Sequence, residues 1–113
     1  METMEKIKNI VETNPVVLFM KGSPQFPQCG FSARTVDALK ACDTQFHSVD
    51  VYAEPDIRQV LPQYSEWPTF PQLFINGELI GGCDIVMSMF QNGDLKRSLA
   101  DAVGTLSLIP IWR

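Results

Sequence analysis

Apolar and polar residues follow two clear patterns in the N-terminal part of the chain. Over residues 4–11, apolar side chains recur every three or four positions, which predicts a first amphipathic helix. Asn14-Pro15 should end this helix, because the residue before a proline is pushed out of the helical region. Val16–Met20 is an unbroken run of β-branched and other apolar residues, which is typical of a strand buried on both faces.

The middle of the chain predicts a loop, a helix, a strand and a short helix. Residues 22–28 contain glycine, serine and two prolines, and a second helical pattern begins at Cys29. Residues 46–51 alternate apolar and polar side chains, as a half-buried strand does. Pro55 fits the first turn of a short helix, and Pro62 is expected to limit the length of that helix.

The C-terminal half predicts a β-hairpin followed by two helices. Asn76-Gly77 lies between two apolar segments and is a strong signal for a tight hairpin turn. Asp84 is the expected N-cap of the next helix. Gly93-Asp94 separates that helix from a last one over residues 95–103.

The order of these elements predicts an α/β fold. Two strands joined through a helix should be parallel, with a right-handed crossover, and the hairpin then adds antiparallel strands. The result is a mixed four-stranded sheet with helices on both faces. A length of 113 residues indicates one domain. Its core is expected over about residues 4–103, with a short apolar tail at 104–113.

Composition and charge exclude several classes of function. Hydrophobic residues make up 45% of the chain and charged residues 19%, so the chain is not a disordered tail. A net charge of −4 argues against nucleic acid or an anionic membrane as the main partner. The longest apolar run, Val16–Met20, is far shorter than the roughly 18 residues of a spanning helix. The N-terminus lacks the basic start of a signal or transit peptide.

The cysteine and histidine counts restrict the chemistry further. Three cysteines are an odd number, which disfavours a closed disulfide framework and favours a reducing, cytoplasmic setting. Three cysteines and one histidine also lack the spacing of a structural zinc site. The chemistry must therefore come from few groups, or from outside the chain.

Cys29 is the strongest candidate for a reactive group. It follows a proline-rich loop and begins a helix, where unpaired N–H groups and partial positive charge favour thiolate over thiol. Lys21, at the end of the preceding strand, could add positive charge nearby. The alternative is a buried, inert cysteine. The position between a proline-rich loop and Gly30 favours exposure over packing.

Four blocks of sequence together carry a family resemblance. They are Lys21-Gly22-Ser23-Pro24 with Pro27, then Cys29-Gly30-Phe31-Ser32, then Trp67-Pro68-Thr69-Phe70-Pro71, then Gly81-Gly82-Cys83-Asp84. In this order, and on these elements, the blocks resemble the monothiol glutaredoxins of the CGFS type. The resemblance covers roughly residues 4–103. It implies a thioredoxin-like fold, which agrees with the predicted order of elements.

Ser32 bears on the type of thiol chemistry. A dithiol oxidoreductase needs a second cysteine three residues after the first to resolve a mixed disulfide, and a hydroxyl cannot do this. Cys29 could still exchange with glutathione if an external thiol completed the cycle. Cys83 is the other candidate for a resolving thiol. We favour the alternative that Cys83 matters through its backbone at the start of a helix.

The resemblance implies a role in iron–sulfur cluster assembly. A [2Fe–2S] cluster takes four thiolate ligands. In this family, Cys29 from each of two chains and two glutathione molecules would supply them, in a homodimer that is monomeric without the cluster. The cluster would pass to iron–sulfur apoproteins, and a BolA-like protein could replace one half of the dimer. A runner-up is a glutathione-dependent thioltransferase or deglutathionylase that uses Cys29 alone. A third possibility is an adaptor that binds a BolA-like protein without a cluster.

The resemblance also implies a glutathione site. Lys21 and Arg58 are the family's positions for gripping the glycine carboxylate. Thr69-Phe70-Pro71 resembles the family's cis-proline segment. A cis bond would leave the backbone of Phe70 free to pair with the ligand's cysteine, whereas an ordinary trans turn is the alternative.

The start of the helix after the hairpin would complete that site. The N–H groups of Cys83 and Asp84 suit the γ-glutamyl carboxylate, and the Asp84 side chain could accept from the ammonium. Phe31, one residue past Gly30, is expected at the cluster edge, and both are predicted to line the cofactor site.

Other polar or unusual residues favour structural roles. Cys42 continues an apolar stripe and is predicted to lie in the core. His47 is predicted to be partly buried and hydrogen-bonded. Met87, Met89 and Phe90 are assigned to the core, and Trp67 is expected either to shield the glutathione site or to pack against the domain.

Overall fold

Five helices and four strands form in the described part of the protein. The computed structural model describes the backbone of residues 2–108 and the side chains of residues 2–102. The elements in chain order are α1 (Thr3–Thr13), β1 (Val16–Met20), α2 (Gly30–Ala41), β2 (His47–Asp50), α3 (Pro55–Ser65), β3 (Gln72–Ile75), β4 (Glu78–Gly81), α4 (Cys83–Asn92) and α5 (Asp94–Leu108). No helix of this part is both long and apolar enough to cross a membrane.

The predicted mixed four-stranded sheet is confirmed. Its strand order is β2-β1-β3-β4, with β1 parallel to β2 and antiparallel to β3, and β3 antiparallel to β4. Asn76 (φ 52°) and Gly77 (φ 82°) both take positive φ between β3 and β4. Positive φ at both central residues is the requirement of the tight hairpin turn that the sequence predicts.

β1 lies at the centre of the sheet and separates two apolar clusters. Val16, Leu18 and Met20 pack with α2, α4 and α5 on one face. Val17 and Phe19 pack with α1 and α3 on the other face. Both sets are buried, because successive side chains of a strand point to opposite faces. The carboxyl end of this buried strand leads directly into the loop that precedes Cys29, so the core fixes where that loop begins.

Pro62 does not limit the third helix as predicted. It lies inside α3, which continues to Ser65. Proline removes one helical hydrogen bond, but Ile57 and Leu61 are fully buried and hold the helix against the sheet. The helix ends at Ser65, and its C-cap, Glu66, takes a left-handed conformation with φ 56°.

Three side-chain predictions are wrong. His47 is exposed rather than partly buried, because it begins the edge strand β2. Phe90 is 37% exposed, because it lies near the C-terminal end of α4 and does not pack against the apolar cluster. Asp84 does not cap α4; Gly82 is the N-cap, and the helix begins at Cys83.

Other predictions agree with the structure. Cys42 is buried, and Met87 and Met89 pack partly buried against its cluster. At the C-terminus, α5 continues to Leu108, so its helix includes residues 104–108 of the predicted tail. The rest of that tail, residues 109–113, lies outside the described residues.

Candidate functional site

The loop between β1 and α2 is closed by its own backbone. The Gln28 N–H donates to the Lys21 carbonyl at 2.8 Å, and Gly22 pairs with Pro27 in an isolated β-bridge. Gly22 has φ 91°, and a Cβ atom at this position would lie 2.6 Å from the Phe26 carbonyl oxygen. Only glycine fits such a turn without strain. The loop therefore returns the chain beside the end of β1, where α2 begins.

Asp50 anchors this loop from the neighbouring strand. Its Oδ1 accepts the N–H of Gly22 at 3.0 Å and the N–H of Tyr52 at 2.9 Å. Sequence analysis missed this role. The available signal was a carboxylate at the carboxyl end of a strand parallel to β1, because such ends meet at one edge of a sheet.

Cys29 is the N-cap residue of α2 and is partly exposed. As a thiol it closes no capping hydrogen bond. The backbone N–H of Ser32 contributes most to lowering the Cys29 pKa below its ordinary 9.0, and the Phe31 N–H, the Lys21 charge and the Ser32 hydroxyl lower it further. Partial desolvation opposes them. The arrangement favours the thiolate, which is the nucleophilic and metal-binding form of cysteine.

Ser32 joins the helix to the strand. Its side chain is fully buried, and its Oγ accepts the backbone N–H of Lys21 at 3.2 Å. From the sequence, Ser32 is only the position at which a resolving thiol is missing. The structure gives it a second property, because the same residue fixes the end of β1 and favours the Cys29 thiolate.

An open cleft of about 520 Å³ runs beside the start of α2. Seven of the predicted site residues line it, namely Lys21, Phe31, Thr69, Phe70, Pro71, Cys83 and Asp84. Trp67, Gly82 and Ile85 complete the lining. Cys29, Gly30 and Arg58 are not part of the lining. The fold thus brings residues from all four sequence blocks to one cleft.

The wall of the cleft contains the segment before β3. The Phe70–Pro71 peptide bond is cis. Within the described residues, the backbone N–H and C=O of Phe70 have no backbone or side-chain hydrogen-bond partner. Gln72, which is fully buried, donates its amide to the carbonyl oxygens of Trp67 (2.9 Å) and Thr69 (3.1 Å) and so fixes this segment.

Trp67 and Gly82 form the back of the cleft. A Cβ atom on Gly82 would lie 3.2 Å from Trp67 Nε1 and 3.2 Å from the Pro71 carbonyl oxygen. Trp67 therefore both packs against the backbone before α4 and lines the cleft. Its buried indole N–H has no hydrogen-bond partner among the described residues. Cys83 follows at the first position of α4 and is 7% exposed.

The two predicted carboxylate-binding cations form no ion pair with another described residue. Neither the Lys21 ammonium nor the Arg58 guanidinium forms an ion pair or a hydrogen bond with another described residue. Arg58 is exposed on α3, and its Cζ lies 5.1 Å from the centre of the Tyr52 ring.

The other titratable groups do not build a second centre in the described residues. The thiol of Cys42 is buried, and burial raises its pKa. Residues 2–108 contain no cluster of three His, Cys, Asp or Glu side chains that could hold a metal ion. One chain therefore offers one partly exposed thiol.

A partly exposed thiol at the start of the helix after the central strand, together with a cis-proline bond just before β3 on this sheet, defines the class of thioredoxin-like proteins. A family model described as Glutaredoxin matches residues 16–80. Glutaredoxin 4 of Pasteurella multocida (strain Pm70) is 57% identical over 101 residues, which cover 89% of this chain and 93% of that protein.

Solved structures of glutaredoxins resemble this fold over most of the chain. The buckwheat glutaredoxin–glutathione complex is 29% identical with a TM-score of 0.78, over 88% of this chain and 89% of that one. The holo form of glutaredoxin C1 from Populus tremula x tremuloides is 28% identical with a TM-score of 0.80, over 89% of each. The chain belongs to the glutaredoxin family, and its Cys29-Gly30-Phe31-Ser32 sequence makes it a monothiol member of the CGFS type.

Proposed function

We propose that this chain binds glutathione in the cleft beside Cys29 and, as a homodimer, carries a [2Fe–2S] cluster to apoproteins during iron–sulfur cluster assembly. The observation that carries the proposal is the state of the three thiols. Cys29 is partly exposed with a lowered pKa, whereas Cys42 and Cys83 are buried.

The number of ligands requires more than one chain. A [2Fe–2S] cluster takes four thiolates, and one chain brings Cys29 alone. Two chains and two glutathione molecules supply the four, so the dimer forms with its cargo and the protein is a monomer without it. Gly30, next to Cys29, supports this arrangement, because a Cβ atom there would meet no other atom within 4 Å. Phe31 is 54% exposed and lines the cleft.

Glutathione fits the charges and backbone groups of the cleft. Lys21 and Arg58 form no ion pair with another described residue, and their cations suit its glycine carboxylate. The free backbone of Phe70 suits its cysteine, with Thr69 and Pro71 shaping that wall. The first N–H groups of α4, at Cys83 and Asp84, suit the γ-glutamyl carboxylate.

The remaining polar group and the partners complete the proposal. The Asp84 carboxylate suits the ammonium of glutathione, and a structural neighbour was solved as a glutathione complex.

A BolA-like protein is the proposed heterodimer partner, in place of one copy of the chain. The three free thiols suit the reducing conditions of the cytoplasm, which is the proposed location.

Anaerobic reconstitution tests the carrier function. The purified chain is incubated with ferrous iron, sulfide and glutathione, and visible absorption and mass in solution are recorded together. The expected product is a coloured dimer with one cluster for two chains. Removal of glutathione should bleach it and return a colourless monomer. A colourless monomer under all conditions would refute the carrier function.

Matched cysteine variants test the ligand assignment. Cys29→Ser should give no coloured dimer, while Cys42→Ser should reconstitute as the parent chain does, because Cys42 lies in the core. A coloured dimer from Cys29→Ser would show that another group binds the cluster. If the apo chain binds a BolA-like protein but never a cluster, the adaptor function is correct instead.

The lowered pKa of Cys29 favours a second candidate, glutathione-dependent thioltransferase activity. The Cys29 thiolate would attack the glutathione sulfur of a mixed disulfide, releasing the substrate thiolate and leaving Cys29 disulfide-bonded to glutathione. A second glutathione thiolate would then attack that glutathione sulfur, which frees Cys29 and yields glutathione disulfide. Turnover of a glutathionylated peptide at rates typical of enzymes, about 1 s⁻¹ or more, would favour this candidate.

A further inference from the structure

Tyr52 is an exposed aromatic residue with an arginine over its ring. It follows β2, and 46% of its surface is exposed, so it contributes little to the core. The Arg58 Cζ lies 5.1 Å from the ring centre, within the range of a cation–π contact. This is the one interaction of the Arg58 guanidinium among the described residues.

The backbone of Tyr52 is fixed to the loop that carries Lys21. The N–H of Tyr52 and the N–H of Gly22 both donate to the same oxygen, Asp50 Oδ1, at 2.9 and 3.0 Å. Gly22 is the residue after Lys21. The backbone of Tyr52, whose ring lies beneath Arg58, and the backbone next to Lys21 therefore share one anchor, at the carboxyl ends of the neighbouring parallel strands β2 and β1.

Stacking leaves the hydrogen-bonding edge of the arginine free. A guanidinium group contacts an aromatic ring with its face, while its N–H groups lie in its plane and can grip a carboxylate with two parallel hydrogen bonds. We infer that Tyr52 is a positioning residue that holds Arg58 for the glycine carboxylate of glutathione and so helps the site select the full tripeptide. The inference rests on the proposed glutathione site.

Two ligands separate this role from a structural one. Glutathione and γ-glutamylcysteine, which lacks the glycine, are titrated into the apo chain, and dissociation constants are measured from backbone NMR shifts. Tyr52→Leu should weaken glutathione about two- to five-fold, the usual size of an exposed cation–π contact. The affinity for γ-glutamylcysteine should not change. Tyr52→Phe keeps the ring and should bind both ligands as the parent chain does.

A double-mutant cycle checks that Tyr52 acts through Arg58. Arg58→Gln should lower the affinity for glutathione, and Tyr52→Leu should then cause no further loss. Equal effects of Tyr52→Leu on both ligands, or no effect on either, would refute the inference while leaving the glutathione site intact. If the parent chain binds no glutathione in the cleft, the proposed function and the inference both fail.

Discussion

Two cysteines begin two helices in this protein, and they differ by one position. Cys29 is the N-cap of α2, whereas Cys83 is the first residue of α4 after its N-cap, Gly82. An N-cap side chain can face the unpaired N–H groups of the first turn, but the side chain of the next residue does not occupy that place. The position at the helix start therefore decides whether the sulfur lies close to the unpaired N–H groups of the first turn.

The surroundings of the two helix starts enforce this difference. Space next to Cys29 is open, since a Cβ on Gly30 would touch nothing within 4 Å. Space next to Cys83 is filled, since a Cβ on Gly81 would lie 2.6 Å from Ile85 Cδ1 and one on Gly82 would lie 3.2 Å from Trp67 Nε1. In the proposed function, the start of α2 would therefore meet another molecule with a side chain, and the start of α4 with its backbone.

The largest expected effect is on thiol reactivity. In the folded apo chain, iodoacetamide should modify Cys29 much faster than the buried Cys42 or Cys83, because only a solvent-accessible thiolate reacts. Replacing Cys29 with Ser should remove the fast phase entirely, and Cys83→Ser should leave it unchanged. Intact-mass and peptide mass spectrometry at neutral pH measure both. If fast modification by iodoacetamide survives in Cys29→Ser and disappears in Cys83→Ser, then Cys83, and not Cys29, is the reactive thiol.

The next effect concerns the two glycines near Cys29. Gly22→Ala adds a Cβ to a residue at φ 91°, 2.6 Å from a backbone oxygen. Left-handed strain and overpacking each cost about 1–3 kcal/mol, so the free energy of unfolding should fall by about 2–6 kcal/mol. Gly30→Ala is the matched control and should change it by less than about 0.5 kcal/mol. Urea unfolding measures both, and equal stabilities would disprove the loop geometry.

Much of the fold could be predicted because it depends on local patterns. The apolar run of β1 and the Asn76-Gly77 turn each determine their element from neighbouring residues. The prediction that Pro62 limits the third helix was wrong. The effect of Pro62 depends on how firmly Ile57 and Leu61 are buried against the sheet, and the local sequence does not contain that information.

The site could be predicted in part, for a related reason. Thiolate stabilisation at Cys29 follows from its place at a helix start, which the sequence reveals. Asp50 and Tyr52 could not be assigned, because their roles arise from contacts with Gly22 and Arg58 that only the packing of strands and α3 creates. The family resemblance supplied the proposed ligand-binding positions, but it did not indicate which contacts hold those residues in place.

A smaller effect on stability is expected at Asp50, whose hydrogen bonds hold the loop before α2 rather than the start of α4. Asp50→Ala leaves the N–H groups of Gly22 and Tyr52 without their acceptor. Such a loss costs about 1–3 kcal/mol in a partly buried setting. Asp50→Asn retains an acceptor oxygen and should lose less. Chemical denaturation measures the stability of both variants, and faster hydrogen exchange at Gly22 in Asp50→Ala would locate the effect. Unchanged exchange there would contradict the anchoring role.

The smallest effect tests the charge beside Cys29. The Cys29 pKa lies below 9.0, mainly through the Ser32 N–H, with the Lys21 charge contributing less. Lys21→Gln should therefore shift the pH midpoint of Cys29 alkylation upward but keep it below 9.0, and added salt should shift the midpoint of the parent chain in the same direction by screening.

The pKa of Cys29 is lowered in the folded chain, so the contribution of Cys29 to stability is complete above pH 9.0 and is lost as pH falls through the folded value. The stability difference between the parent and Cys29→Ala should accordingly grow with pH across that interval in urea titrations. A difference that shrinks as pH rises would mean that the thiol form, not the thiolate, is favoured at the start of α2.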